Sequence, residues 1–386
     1  MTDQESLPSA GTASSLIPVT LLTGFLGSGK TTVLNHLVRQ SELSDALVII
    51  NEFGEMALDH MMVAHSTENL VMEMSSGCVC CSIRGDLVQT LRDLTWRYSR
   101  NGQRWFQRVV IETTGLADPA PIIQTLMTQP SIARRYRLDG VVATLDLATG
   151  INTLNRHKEA VKQAAVADAL LLTKADLAND EDRAALLHRL DGINPAAPRW
   201  EVRNGEIAAE KVLNLGLFTA EGKSPDVARW LSEEAYATPS LHRHAHEPHD
   251  NDHHHHGQGH PERDPHGHAQ HHGHVHPHDV NRHDDLIRAF CFIVEQPIPE
   301  ETLADWLDLL MGFVGSHILR VKGILNIEGN AQPVVVHGVQ HIFHPPVTLP
   351  AWPSDDRRSR IVFITYGIER AVVEATFQAL AEGAIA

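Results

Sequence analysis

Short continuous apolar runs punctuate the first half of the chain: Ile17–Leu22, Ala46–Ile50, Leu70–Met74, Val109–Ile111, Val141–Leu145 and Ala167–Leu172. Between most of them lie stretches with apolar residues at helical spacing, at Thr31–Arg39, Leu87–Tyr98, Ile122–Met127, Ile151–Ala165 and Glu181–Leu190. Strands that are apolar throughout, alternating with amphipathic helices, predict an α/β domain. Its sheet should be mostly parallel and covered by helices on both faces. A further short strand is expected at Trp200–Arg203, which gives a first domain over residues 16–235. The pattern then fails. Residues 242–283 are His, Asp, Gly, Pro and Gln with almost no aliphatic side chain, so nothing there can bury a core. The segment 236–283 is therefore expected to be a disordered linker, as is the polar lead-in 1–15. Ordinary patterning returns at Asp284. Strands are expected at Leu286–Val294, Ile318–Ile327, Pro333–Val339 and Arg360–Tyr366, with helices at Glu300–Phe313 and Arg370–Ala379. Their short connections predict a smaller α+β domain over 284–386 with a largely antiparallel sheet.

Composition adds limits. A chain of 386 residues suits two domains and a linker better than one domain. Aromatic residues are only 5%, so the cores must lean on Leu, Val, Ile and Ala. The formal charge of −16 argues against a nucleic-acid partner, which would need a basic face. No apolar run reaches the roughly 18 residues of a membrane span. The N-terminus lacks the basic and apolar regions of a secretory signal. The expectation is a cytoplasmic protein with no membrane partner.

The first strand enters Gly24-Phe25-Leu26-Gly27-Ser28-Gly29-Lys30-Thr31, followed by Thr32. This fits the phosphate-loop pattern G-x-x-x-x-G-K-[ST]. Its glycines let backbone N–H groups turn toward phosphate oxygens. Lys30 reaches the β- and γ-phosphates, Thr31 suits Mg²⁺, and the next helix points its positive end at the anion. A strand before and a helix after supply the required context. Val109-Val110-Ile111-Glu112 is an apolar strand that ends in a carboxylate, the layout of an acid steadying Mg²⁺. Gly115, three residues on, could sense a γ-phosphate. Alone, such an acid reads as a solvated turn; after a phosphate loop, a functional role is favoured. Thr173-Lys174-Ala175-Asp176 ends another strand and resembles the guanine motif N-K-x-D, with Thr173 in place of Asn. Asp176 would accept both N–H groups of a guanine edge, and Lys174 would pack over the base. The bland alternative is a charged turn at a strand end.

Cysteine and histidine are distributed unevenly. Three of four cysteines, Cys78, Cys80 and Cys81, fall in one glycine-led turn. Thiolates are soft ligands suited to Zn²⁺ and similar ions. No second ligand pair closes a structural site, so an open site suited to transfer is the reading. Incidental thiols so close together are improbable in a reducing cytosol. Cys291 lies in the apolar run AFCFIV and reads as core packing. Of 26 histidines, 17 lie between His242 and His283, with six acidic residues against three arginines. That run predicts several weak metal sites rather than a merely flexible linker. Isolated His36, His157 and His317 read as surface or packing residues. Because the phosphate loop, Glu52, the cysteine turn and Glu112 each follow a predicted parallel strand, all should share the carboxyl edge of one sheet.

Taken together, GFLGSGKTT (24–32), NEFGE (51–55), GCVCC (77–81), IETTGLADP (111–119) and TKAD (173–176) resemble the CobW-like family of metal-handling P-loop GTPases. RVKG (320–323) looks like that family's second domain. The resemblance implies hydrolysis of GTP with Mg²⁺, in which Lys30, Thr31 and Glu112 act in catalysis. It implies phosphate and guanine contacts from Gly24 to Thr32, Gly115, Thr173, Lys174 and Asp176. The loop through Gly85 also approaches nucleotide in that family. Zn²⁺, or Co²⁺ or another divalent ion, would be held by Cys78, Cys80, Cys81 and Glu52 and delivered to a client metalloprotein. A nucleotide-dependent homodimer would fit the same family. Alternatives are a cobalt or iron insertion factor for cobalamin synthesis or nitrile hydratase, or a metal buffer or sensor with weak GTPase activity. A P-loop small-molecule kinase is disfavoured by the cysteine turn and TKAD.

Overall fold

The computed structural model describes residues 16–50, 70–73, 82–100, 103–215, 286–343 and 346–381; for 70–73, 82–86, 100 and 103 it describes the backbone alone. The lead-in 1–15, Glu52, the cysteine turn, the first domain's expected end at 235 and the linker 236–283 lie outside these residues.

The first domain is the expected α/β unit. In chain order its elements are β1 (Ile17–Gly24), α1 (Lys30–Leu37), β2 (Ala46–Ile50), β3 (Leu70–Glu73), α2 (Ser82–Arg97), β4 (Ser99–Arg100), β5 (Gln103–Arg104), β6 (Arg108–Glu112), α3 (Ala120–Thr128) and α4 (Pro130–Ala133). There follow β7 (Tyr136–Asp146), α5 (Gly150–Arg156), α6 (Lys158–Val166), β8 (Ala169–Thr173), α7 (Asp180–Ile193) and β9 (Arg199–Val202). Seven strands form one sheet in the order β3-β2-β6-β1-β7-β8-β9. Every neighbouring pair is parallel. β2 and β8 are buried at every position, as a two-faced sheet requires. One face packs on α2 and α3 through Leu91, Leu94, Ile123 and Leu126. The other packs on α1 through Val33, Leu34 and Leu37.

Two expectations are corrected. The helix expected over Ile151–Ala165 is two helices, broken at His157, whose backbone is extended (φ −127°, ψ 110°). The break lets the His157 ring stack on Phe25 with centroids 4.3 Å apart. The hairpin β4–β5, paired through Ser99 and Arg104, was not expected at all.

The second unit contains β10 (Ile287–Val294), α8 (Glu300–Val314), β11 (Ile318–Leu325), β12 (Val334–Val339), β13 (Ile342–Phe343), β14 (Val347–Thr348), β15 (Ser359–Tyr366) and α9 (Arg370–Ala381). Its sheet, in the order β10-β15-β11-β12-β13 with β14 beside β12, is antiparallel. Strand alternation divides its two faces. Phe290, Phe292, Ile361 and Phe363 pack on Trp306 and Leu310 of α8. Ile287, Leu319 and Ile364 pack instead with residues of α6 and α7, and Val339 and Ile342 with residues of α3. Cys291 is buried, as expected.

An ionic cluster lies in this seam. Asp168, just before β8, is buried and pairs with Arg320 and with Lys322 Nζ (2.6 Å), both from β11. Its other oxygen accepts from the Val141 amide (2.9 Å). Burial works against the charge, but the positive fields of Arg320, Lys322 and His337 outweigh it and hold the carboxyl well below its usual range. The terminal carbonyls of α6 are also taken. Asn194 Nδ2 donates to Ala164 and Ala165, and Arg320 donates to Val166.

Removing one member of a buried charge cluster leaves the others uncompensated, at about 3–5 kcal/mol. Asp168→Asn should therefore lower the unfolding temperature by several degrees at neutral pH. A depressed carboxyl contributes in full above its unfolded pKa, so this difference should shrink as pH falls below about 4. Thermal unfolding of both proteins across that range tests the assignment; equal stability at neutral pH would contradict it.

Candidate functional site

β1 delivers the chain into the loop Gly24–Gly29 at the carboxyl edge of the sheet. The backbone there demands glycine. Gly27 and Gly29 have φ of 70° and 88°, and a Cβ on Gly24 would run into the Thr144 side chain and carbonyl. The loop rests on a layer of hydroxyls from neighbouring strands. Ser28 Oγ lies 2.6 Å from Thr144 Oγ1, and Thr173 Oγ1 donates to the Ser28 carbonyl (2.7 Å) and the Leu145 carbonyl (3.1 Å). Thr173 thus ties the TKAD turn to the loop despite the departure from Asn.

Lys30 opens α1 directly after the left-handed Gly29, so the helix's first N–H groups face the loop. Its ammonium donates to the Gly24 and Phe25 carbonyls (3.0 and 3.1 Å). Thr31 Oγ1 donates to Glu112 Oε1 (2.9 Å), across two strands' ends. Glu112 is 2% exposed. This hydroxyl and carboxylate are hard oxygen donors of the kind Mg²⁺ takes, so the residues present fit that ion.

Past Glu112, the Gly115 backbone presses on the loop. A Cβ there would stand 2.6 Å from the Leu26 amide nitrogen. The same turn is held from behind by α6. Gln163 Nε2 donates to the carbonyls of Gly115 and Ala117 (3.2 and 3.0 Å), and Lys162 Nζ pairs with Asp118 (2.9 Å). Lys174 sits at φ 55°, strained for a side chain of its kind, and its ammonium pairs with Asp146 (2.7 Å) at the end of β7. Burial opposes charge on Asp146, yet hydrogen bonds from Lys174 and the Ala148 amide keep its carboxyl below the usual range. Asp176 is exposed. At the end of β9, a Cβ on Gly205 would meet the Thr32 carbonyl, so that turn also reaches α1.

The structure brings Gly24–Thr32, Glu112, Gly115, Thr173 and Lys174 together at one edge. Gly85 lies in the first turn of α2. Glu52, Cys78, Cys80 and Cys81 lie outside the described residues. Among the described residues there is no cluster of three or more His, Cys, Asp or Glu fit for a metal. Sequence reading missed Asp146, Thr144 and Gln163. Each is a lone polar residue whose partner is distant in sequence, and an acid at the end of an apolar run was the one available hint, for Asp146.

Gly115→Ala should force the turn off the loop. We expect nucleotide hydrolysis to drop at least tenfold while diphosphate binding changes little, if this turn senses the third phosphate as the sequence leads one to expect. Turnover and calorimetric binding of the variant test this; an unchanged turnover number would contradict it.

Comparison with known proteins accords with this architecture. The family model described as "CobW/HypB/UreG, nucleotide-binding domain" matches residues 18–201, and "Cobalamin synthesis protein cobW C-terminal domain" matches 287–381. The chain is 30% identical over 365 residues to the zinc chaperone YjiA of Escherichia coli, covering 94% of this chain and 98% of that protein. It is 26% identical to the zinc chaperone CobW of a Sinorhizobium species, covering 94% and 97%. The crystal structure of Zn(II)-bound YjiA GTPase superposes with a TM-score of 0.63 over 95% of this chain and 99% of that one, at 26% identity. Among the described residues no helix is long and apolar enough to cross a membrane. With both domains matched in order and a P-loop built at the sheet's carboxyl edge, the chain belongs to the CobW/HypB/UreG family of P-loop GTPases.

Proposed function

We propose that this GTPase is a cytoplasmic metallochaperone that binds Zn²⁺ at Cys78, Cys80 and Cys81, with Glu52 beside them, and delivers it to a client metalloprotein. The observation that carries the reading is the Thr31–Glu112 pair, with Glu112 buried, at the carboxyl edge that also bounds the cysteine segment. β3 ends at Glu73 and α2 begins at Ser82 on that edge, so the chain leaves and re-enters the described fold there. Three thiolates favour zinc on donor softness. The names of the relatives favour zinc over cobalt or iron insertion. The domains proposed are 16–235, a His-rich linker 236–283 and 284–386.

In this reading Gly24–Thr32 cradle the phosphates. Lys30 exchanges the Gly24 and Phe25 carbonyls for β- and γ-phosphate oxygens, which are stronger acceptors. Thr31 and Glu112 hold Mg²⁺, which when bound neutralises charge developing on the bridging oxygen. Water adds to the γ-phosphorus as the bond to that oxygen breaks, giving GDP and phosphate. Asp176 accepts the two guanine N–H groups, and Lys174, pinned by Asp146, flanks the base. Gly115 and the α2 start at Gly85 register the third phosphate. Lys162 and Gln163 carry that registration into α6, whose last turn is fastened to the second domain by Arg320. Exposed Leu26, Leu116 and Leu177 rim the edge and support a homodimer formed when nucleotide is bound.

GTP should bind better than ATP. Asp176→Asn should weaken GTP binding about tenfold, since a mismatched polar group costs about 1–3 kcal/mol, and leave ATP unchanged. Calorimetry with both nucleotides decides; equal wild-type affinities would rule out the guanine assignment. Serine at positions 78, 80 and 81 should remove one tight zinc equivalent in a chelator competition. Deleting 242–283 should remove only weaker equivalents, which empty first as pH falls below about 6.5. Loss of the tight equivalent on deletion would instead place its ligands in the histidine run.

A further inference from the structure

The amino edge of the first sheet, opposite the nucleotide edge, carries a feature that GTP chemistry does not use. In a chain of net charge −16, residues 92–108 hold five arginines against one acid, and 130–137 add three more arginines and no acid. The fold gathers six of them. Arg92 Nε donates to Ser131 Oγ (3.0 Å) and Arg135 Nη1 to Thr95 Oγ1 (3.1 Å), which fastens the end of α2 to α4. The β4–β5 hairpin adds Arg104, which donates to the Phe106 carbonyl and to Gln107. Arg108 and Arg137 are neutralised by buried Asp139, and Arg97 shares Asp93. The bonds described for Arg92, Arg104 and Arg135 go to neutral atoms. They orient the guanidinium groups without cancelling their charge.

Two tryptophans stand in the same patch. Trp96 is 66% exposed and Trp105 50%, in a chain with few aromatic residues. Beside them runs an open groove of about 440 Å³ between α2 and α3, lined by Gln89, Arg92, Gln124, Thr128 and Gln129 over Val88.

We propose that this edge docks an acidic segment of a protein partner that carries apolar anchors. Guanidinium forks match carboxylates two bonds at a time. Exposed tryptophans supply the large apolar area that anchors an interface. Amide and hydroxyl side chains in the groove offer both donors and acceptors to an extended peptide backbone. A nucleic acid fits less well, because the acidic remainder of the surface repels a polyanion longer than the patch. An anionic bilayer also fits less well, because a polar groove separates the patch from any continuous apolar face. Arg92 and Trp96 lie 10 and 14 residues along α2 from its start at Ser82, so about 15–21 Å of helix separates them from that start. A partner held here leaves the nucleotide edge open.

The test uses the full-length protein and labelled probes in fluorescence anisotropy. The acidic probe is a short synthetic peptide alternating Glu with Leu and one central Phe. The controls are the same peptide with Gln for Glu, a single-stranded DNA oligonucleotide and phosphatidylserine-containing vesicles. The acidic peptide should bind best, more weakly as salt rises. Arg92→Glu with Arg135→Glu should weaken it at least about tenfold, and Trp96→Ala several-fold, with GTP turnover unchanged in both variants. No binding, equal binding of the Gln peptide, or wild-type affinity in the arginine variant would overturn the proposal. Tighter, arginine-dependent binding of the DNA or the vesicles would overturn the choice of partner.

Discussion

The two domains are held to one another by a buried carboxylate. Asp168 meets Arg320 and Lys322 in a seam from which water is excluded, and its second oxygen is fixed by the Val141 amide. Such a cluster tolerates little displacement, because any member left alone is a buried unpaired charge. It fixes more than the second domain. Arg320 also caps the Val166 carbonyl at the end of α6, and within one turn of it the same helix grips the carbonyls of Gly115 and Ala117 through Gln163. One helix therefore spans from the turn beside the phosphate loop to the domain seam. A shift of that turn by a third phosphate must break the Gln163 bonds or move the helix.

The phosphate loop depends on a similar economy of contacts. Three left-handed or sterically confined glycines shape it, and a hydroxyl layer from Ser28, Thr144 and Thr173 supports it from below. Lys30 and Thr31 meet groups that a nucleotide and its ion would replace: two loop carbonyls for the ammonium, and the Glu112 carboxylate for the hydroxyl. Backbone strain at Lys174 falls in the TKAD turn, where the Asp146 pair holds it.

Much of this was legible from patterning, because a two-faced parallel sheet leaves uninterrupted apolar strands. Ala46–Ile50 matches β2 residue for residue. β7 was only half visible. Its first part, Tyr136–Gly140, contains Arg137 and buried Asp139, polar residues that read as a loop until Arg108, Arg137, Thr20 and the Asn214 amide are seen to satisfy that carboxylate. The break at His157 was hidden because helical periodicity runs through it; its reason is a stack on Phe25 far earlier in the chain. Lys30, Thr31, Glu112 and Lys174 were legible because their motifs are contiguous. Gln163 and Asp168 were not, since each acts through a partner that only the fold brings near. Arg320 and Lys322 stood out as part of RVKG, but their partner lies more than 150 residues away, as the separation of 152 between Asp168 and Arg320 shows.

We infer that the nucleotide site and the metal site proposed at Cys78, Cys80 and Cys81 are energetically coupled. Linkage makes this measurable from either side, since a ligand that changes another's affinity is itself changed by the same factor, commonly through about 1–3 kcal/mol. Calorimetric titration of a slowly hydrolysed GTP analogue, with and without one equivalent of zinc, measures that coupling. The account predicts a several-fold to hundredfold difference in the wild type, abolished when Cys78, Cys80 and Cys81 are serine, with metal-free affinity retained. Identical affinities with and without zinc would contradict it.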